Sequence, residues 1–189
     1  RINGTINANS TDTSNANKTG GDIYIGRDIT TKKLARATDV SGATLLSNKG
    51  FVETSGDWLK THNIKVLAKD WLLDPTDINI VAVGTATPDT ATVPGSGLFQ
   101  DTTGISASEV LKSTIETAIN NGTSVTISTA NPTFGANGSG NITVGGAISD
   151  GNGFANGLTY SGTGTLVLGG ASTYTGATTL NAGVLTLNG

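Results

Sequence analysis

The chain has 189 residues, a formal net charge of −3, 27 glycines and no cysteine. That charge gives no electrostatic case for nucleic acid or an anionic membrane, and the missing cysteines exclude a disulfide framework and thiolate metal centres. All eleven Lys and Arg lie at or before Lys112, so no polyanion-binding surface is expected beyond it.

Hydrophobic residues make up 35% of the chain and charged residues 13%. That is too little charge for a typical disordered tail, while abundant Thr, Val, Ile and Leu favour strands and Gly and Asn favour the turns between them. No run reaches the roughly 18 apolar residues of a membrane helix, so the segment is not expected to be membrane-embedded. It shows no signal peptide. Starting at "RINGTINA" and stopping inside a repeat, it reads as a piece of a longer polypeptide.

The predicted strands are short and frequent. "INGTINA" alternates Ile2 and Ile6 with polar residues, and "GGDIYIGRDI" puts Ile23 and Ile25 on one face with Tyr24 opposite. "ATLLS", "GFVETSG", "NIKVLA" and "DINIVAV" follow, and beyond residue 123 come "SVTIS", "GNITVGG", "GTLVLGG", "ATTL" and "GVLTLNG". The last two apolar runs are one motif repeated: Leu166 and Leu168 fall on Leu185 and Leu187 nineteen residues later. Self-similarity at this period is the signature of a solenoid, in which each turn of chain buries its apolar side against the next. The expected fold is therefore all-β, a right-handed parallel β-helix with Leu166/Leu185 and Leu168/Leu187 as stacked inward rows. A hairpin-built β-sandwich is the alternative.

Two segments break the pattern. "GISASEVLKSTIETAINNGTSV" predicts one short amphipathic α-helix, with Ser106 and Glu109 as a capping box and Asn121-Gly122 as the stop. Its stripe of Val110, Leu111, Thr114, Ile115, Ala118 and Ile119 is expected to dock on a sheet, ahead of a partner-binding role. Val83 to Gly97 is Pro- and Gly-punctuated and predicts an irregular loop insertion. The expected organisation is N-terminal β-helix coils over 1–83, loop insertion plus helix over 84–123, and C-terminal coils over 124–189.

In "DWLLDPTDINI", Trp71, Leu72 and Leu73 form an apolar plug, and Pro75 removes a ladder donor and ends the strand. Asp74 and Asp77 are expected to accept turn amides, after which Ile78 and Ile80 resume the inward row. Trp58 is expected to plug the preceding coil in the same way.

No catalytic constellation stands out. Glycoside hydrolysis needs two facing carboxylates; Asp70, Asp74 and Asp77 cluster, but the turn accounts for them. Beyond Lys112 only Glu116 and Asp150 are acidic. The only histidine, His62, has no evident Asp or Ser partner. No cofactor is implied. Ser149 to Gly153 has the oxygen-rich look of a cation loop, with Asp150 and Asn152 as weak candidate ligands; a plain turn is the favoured reading.

"DWLLDPTDINI", then "GISASEVLKSTIETAINNGTSVTIST" and "GSGNITVGGAISDGNG" in that order, resembles large haemagglutinin-like bacterial surface adhesins of the filamentous-haemagglutinin type. "GTGTLVLGGASTYTGATTLNAGVLTLNG", with Tyr174 and Gly176, is similar to the passenger-associated repeat of autotransporters. The resemblance implies a β-helix on the outer surface of a Gram-negative bacterium and carries no ligand. The expected function is non-enzymatic: a stiff, adhesive rod for adhesion or cell–cell contact, meeting a surface glycan or protein through Ala86 to Gly97 or an outer Thr/Asn face. The alternative is a homo-oligomer or filament built by stacking open β-helix ends, and the less expected one a glycan-active enzyme.

Overall fold

The computed structural model describes residues 1–11, 19–75, 78–81, 108–129, 141–151 and 155–188. Its first strands are β1 (Thr5–Asn7), β2 (Ile23–Ile25), β3 (Ala37–Asp39), β4 (Thr44–Gly56), β5 (Trp58–Lys60), β6 (Lys65–Pro75) and β7 (Ile78–Val81). Then come β8 (Ser108–Leu111), helix α1 (Lys112–Asn120), β9 (Ser124–Ser128) and β10 (Ile142–Val144). The described chain closes with β11 (Leu158–Ser161), β12 (Thr165–Leu168), β13 (Thr178–Leu180) and β14 (Val184–Leu187).

Every pairing between these strands is parallel. One sheet runs β1-β4-β6-β9-β11-β13, with β2 also on β4; a second runs β14-β12-β10-β7-β8; β3 and β5 form a third. From β9 onward the chain alternates strictly between the first two sheets. A hairpin sandwich requires antiparallel neighbours, so that alternative is set aside.

The register explains the repeat. Leu166 pairs with Leu185 and Leu168 with Leu187, so the nineteen-residue period carries one strand onto its neighbour in the same sheet. Spacings near twenty recur between β4 and β6, where Thr44 pairs with Lys65 and Val52 with Trp71 across a register shift after Ser47. One hydrophobic cluster joins the sheets and α1. Val52, Trp71, Val125 and Leu158 form one inward row of the first sheet, all between 0% and 1% exposed. In the second sheet Ile78 and Ile80 are equally buried, as their sequence position predicted.

Position in the stack decides burial where sequence is nearly constant. Leu166 is 3% exposed, but its register partner Leu185 is 42% and Leu187 is 69% exposed. β13 and β14 are the outermost strands of their sheets among the described residues, so their inward rows are covered on one side only.

Three expectations need correction. The helix starts later than predicted: Ser108–Leu111 is a strand paired with β7, from Ile78↔Ser108 to Val81↔Leu111. Strand pairing wins because it buries both Ser108 and Val110 completely, while the Leu59 amide donates to Ser108 Oγ at 2.9 Å. Leu111 is the N-cap and supplies no side-chain bond; Ser106 lies outside the described residues, as does the Val83–Gly97 loop. Second, Trp58 is only half-buried, and Leu59 beside it is the core residue. Third, Trp71, Leu72 and Leu73 do not act as one plug. The pleat sends Trp71 and Leu73 inward and leaves Leu72 half-buried on the opposite face.

The predicted helix stop holds. Gly122 has φ +84°, its amide donates to Ile119 O, and the Thr123 amide donates to Ala118 O. These are the two bonds of a glycine-terminated helix end. Thr123 then stands in for a strand: fully buried, its hydroxyl donates to Ala68 O at 2.8 Å and accepts from Ala68 N at 3.3 Å. The ladder from β6 to β9 begins immediately beyond, at Asp70↔Ser124.

Candidate functional site

Two places gather the chain's polar chemistry. The first lies on the face of the first sheet opposite the Trp71 row. Glu53, Ser55 and Asp74 alternate with inward Val52, Thr54 and Leu73, yet they are only 1%, 0% and 4% exposed. Arg27, just after β2, sends Nη1 to Glu53 Oε1 at 2.9 Å and Oε2 at 3.1 Å, and Ser55 Oγ donates to Oε1 at 2.7 Å. Ser55 pairs in register with Asp74. Gly26 gives Arg27 its approach: its φ is +80° and a Cβ there would overlap Ser55 O.

The turn at 76–77 that Asp74 is expected to cap lies outside the described residues. Asp74 Oδ1 is buried without a hydrogen-bond partner. Burial pushes its carboxyl up from 3.8 to about 6; a Ser128 bond opposes the shift, and nearby Glu53 adds to it against Arg27. The native state therefore holds this proton more tightly than the unfolded chain does. Its contribution to stability is full below about pH 4 and is lost as pH rises through about 6, a swing on the order of 3 kcal/mol. Asp74→Asn is expected to remove that fall. Urea unfolding of both chains at about pH 5 and pH 7.5 checks it, and an equal loss in the variant would assign the effect elsewhere. Asp77 lies outside the described residues.

The second place is the C-terminal repeat and the corner beneath it. Helix α1 holds that corner: Glu116 Oε1 accepts from Ser149 N at 2.9 Å and Oγ at 2.8 Å, and Asn120 Oδ1 accepts from Gly151 N at 2.7 Å. Asp150 Oδ2 in turn accepts from Thr175 N at 2.7 Å and Oγ1 at 2.8 Å, and these bonds hold its carboxyl below the usual range. Asp150 thus staples two successive corners; Asn152, the other candidate ligand, lies outside the described residues. Among the described residues no three His, Cys, Asp or Glu side chains group as a metal site.

Past that staple, a groove of about 360 Å³ is lined by Leu168, Ala171, Tyr174, Gly176, Thr178 and Leu187. The Tyr174 and Thr178 hydroxyls bond across its wall. Gly176 is required by close approach, since a Cβ would overlap the Asn156 carbonyl of the preceding turn of chain. Gly176→Ala is expected to cost roughly 1–3 kcal/mol, as overpacking does. It should lower hydrogen-exchange protection in 158–187 first; unchanged protection there would show that this contact does not hold the repeat.

The sequence singled out the repeat residues and the Trp71–Pro75 motif, and the structure keeps them apart, one at the C-terminal edge and one mid-sheet. It missed Arg27 and Glu53, which are 26 residues apart with no local pattern joining them. His62 falls in the turn between β5 and β6 and is exposed.

The described strands stack in parallel register, and Asp150 ties one corner to the next. The passenger-associated-transport-repeat family matches residues 158–187, the segment from β11 to the end of β14. The match supports a repeat of the autotransporter-passenger type in this stretch. A search of curated proteins finds no match. No helix among the described residues is long and apolar enough to cross a membrane.

Proposed function

We propose that the chain is a non-enzymatic structural and adhesive segment of a protein exported to the surface of a Gram-negative bacterium, built as a right-handed parallel β-helix. The observation that carries this reading is the coincidence of the matched repeat with strands stacked in parallel register. Each added strand extends the sheets by about 4.8 Å and joins a continuous hydrogen-bond ladder. A long run of such repeats makes a stiff rod, and the haemagglutinin-like order of motifs adds adhesion to its expected work. Outward Thr126 and Thr159, in register on the first sheet, present hydroxyls suited to a glycan or a protein surface.

Beads coated with the purified chain are expected to adhere to host or bacterial cells. Adhesion no greater than that of beads carrying a misfolded variant would defeat the adhesive reading. A second reading, head-to-tail assembly, draws on exposed Val184, Leu185 and Leu187 along β14. The next repeat of a longer chain would cover the same row. Sedimentation across a concentration series separates the two, since only assembly gives species that grow with concentration.

A further inference from the structure

A stiff adhesive rod gives no task to the buried carboxyl of Asp74, one of four side chains with a buried, unbonded polar atom among the described residues. Asp74 is 4% exposed and its Oδ1 has no partner. A buried polar atom left unbonded is rare in native proteins, and such atoms mark strain or chemistry. The charged groups facing it are Glu53 on β4 and Arg27 after β2, and Ser128 at the end of β9 hydrogen-bonds its carboxyl. The residue after Asp74 is Pro75, and no other aspartate in the chain precedes a proline. An aspartyl carboxyl can close a five-membered ring on its own main-chain carbonyl. The prolyl nitrogen, a tertiary amide that leaves as a basic secondary amine, is the leaving group that makes this closure productive.

We propose that the Asp74–Pro75 bond is a self-cleavage site, opened under mildly acidic conditions by the Asp74 carboxyl group. The acid form gives its proton to the Pro75 nitrogen, and a carboxyl oxygen bonds to the Asp74 carbonyl carbon. The carbon–nitrogen bond breaks, and its electron pair leaves on Pro75 as a secondary amine. Asp74 is left as a cyclic anhydride, which one water opens to two carboxyl groups; nothing is oxidised or reduced.

The surroundings support each part. Burial keeps the carboxyl protonated at a pH where an exposed aspartate has lost its proton. Glu53, held by Arg27 and Ser55, fixes a negative charge nearby. The pairings Ser55↔Asp74 and Gly56↔Pro75 hold both sides of the bond in the sheet, so the products 1–74 and 75–189 stay associated until denatured.

The test is to incubate the purified folded chain at about pH 5 and at pH 7.5 for several days, denature it and weigh it by mass spectrometry. Two fragments are expected at the lower pH, the second beginning at Pro75, with a rate that rises as pH falls through about 6 and then levels. Asp74→Asn and Pro75→Ala, each checked for native circular dichroism, should stay intact. In urea at the same pH, cleavage should slow by about tenfold or more, because the shifted carboxyl exists only in the fold. An intact wild-type chain overturns the proposal, and so do equal rates in the folded and urea-unfolded chains, which would be the ordinary acid lability of the dipeptide.

Discussion

Trp71→Ala is expected to lower folding stability by about 3–5 kcal/mol, a large part of what a domain of this size has. Trp71 is 1% exposed, lies between Val52 and Val125 in register, and donates from Nε1 to Thr54 Oγ1 at 3.0 Å. Truncation removes the largest buried side chain of the first sheet and leaves the buried Thr54 hydroxyl without its donor. The packed rows on either side belong to continuous strands that cannot collapse into the space. Trp71→Phe keeps most of the volume and should cost about 1–3 kcal/mol, chiefly the lost hydrogen bond. Urea unfolding followed by far-ultraviolet circular dichroism measures both. A loss below about 1 kcal/mol for the alanine would mean that Trp71 is not in the core.

Arg27→Ala is expected to cost about 3–5 kcal/mol although the arginine sits at the rim, because the residue harmed is Glu53. The side chains are 21% and 1% exposed respectively, so the variant leaves a buried carboxylate with, among the described residues, only Ser55 Oγ to bond. Removing both members should restore much of the loss: Arg27→Ala with Glu53→Gln is expected to be more stable than Arg27→Ala alone. A double-mutant cycle read by urea unfolding gives the coupling. Additive effects would show that the pair is not the reason Glu53 is tolerated inside the sheet.

Much of the architecture was legible in the residues because a repeat is a local signal. Ile23 and Ile25 alternate with Tyr24, and the structure buries the first two while leaving Tyr24 45% exposed. Leu166 and Leu185 share one motif and meet in register. Asn121-Gly122 ends α1. Each depends on side chains a few residues apart or on one repeated period, so no partner from elsewhere is needed to read it.

Tertiary structure decided the rest. Ser108 to Leu111 has a helix-like pattern, but an open strand position between β5 and β7 offered full burial and a ladder, and the helix yielded its first turn. The composition of "FVETSG" gives no sign that Glu53 is buried, since its partner Arg27 is brought there by β2 lying on β4. Asp74 reads as a turn-capping acid in isolation. Only the stacking of β4, β6 and β9 places it under cover with Glu53 beside it and raises its hold on a proton. The sequence by itself determined the period, the strands and their turns, because these are written in local patterns. Which polar groups became buried, paired or orphaned was decided by the stack, because burial and charge pairing depend on neighbours that lie one or more turns of chain away.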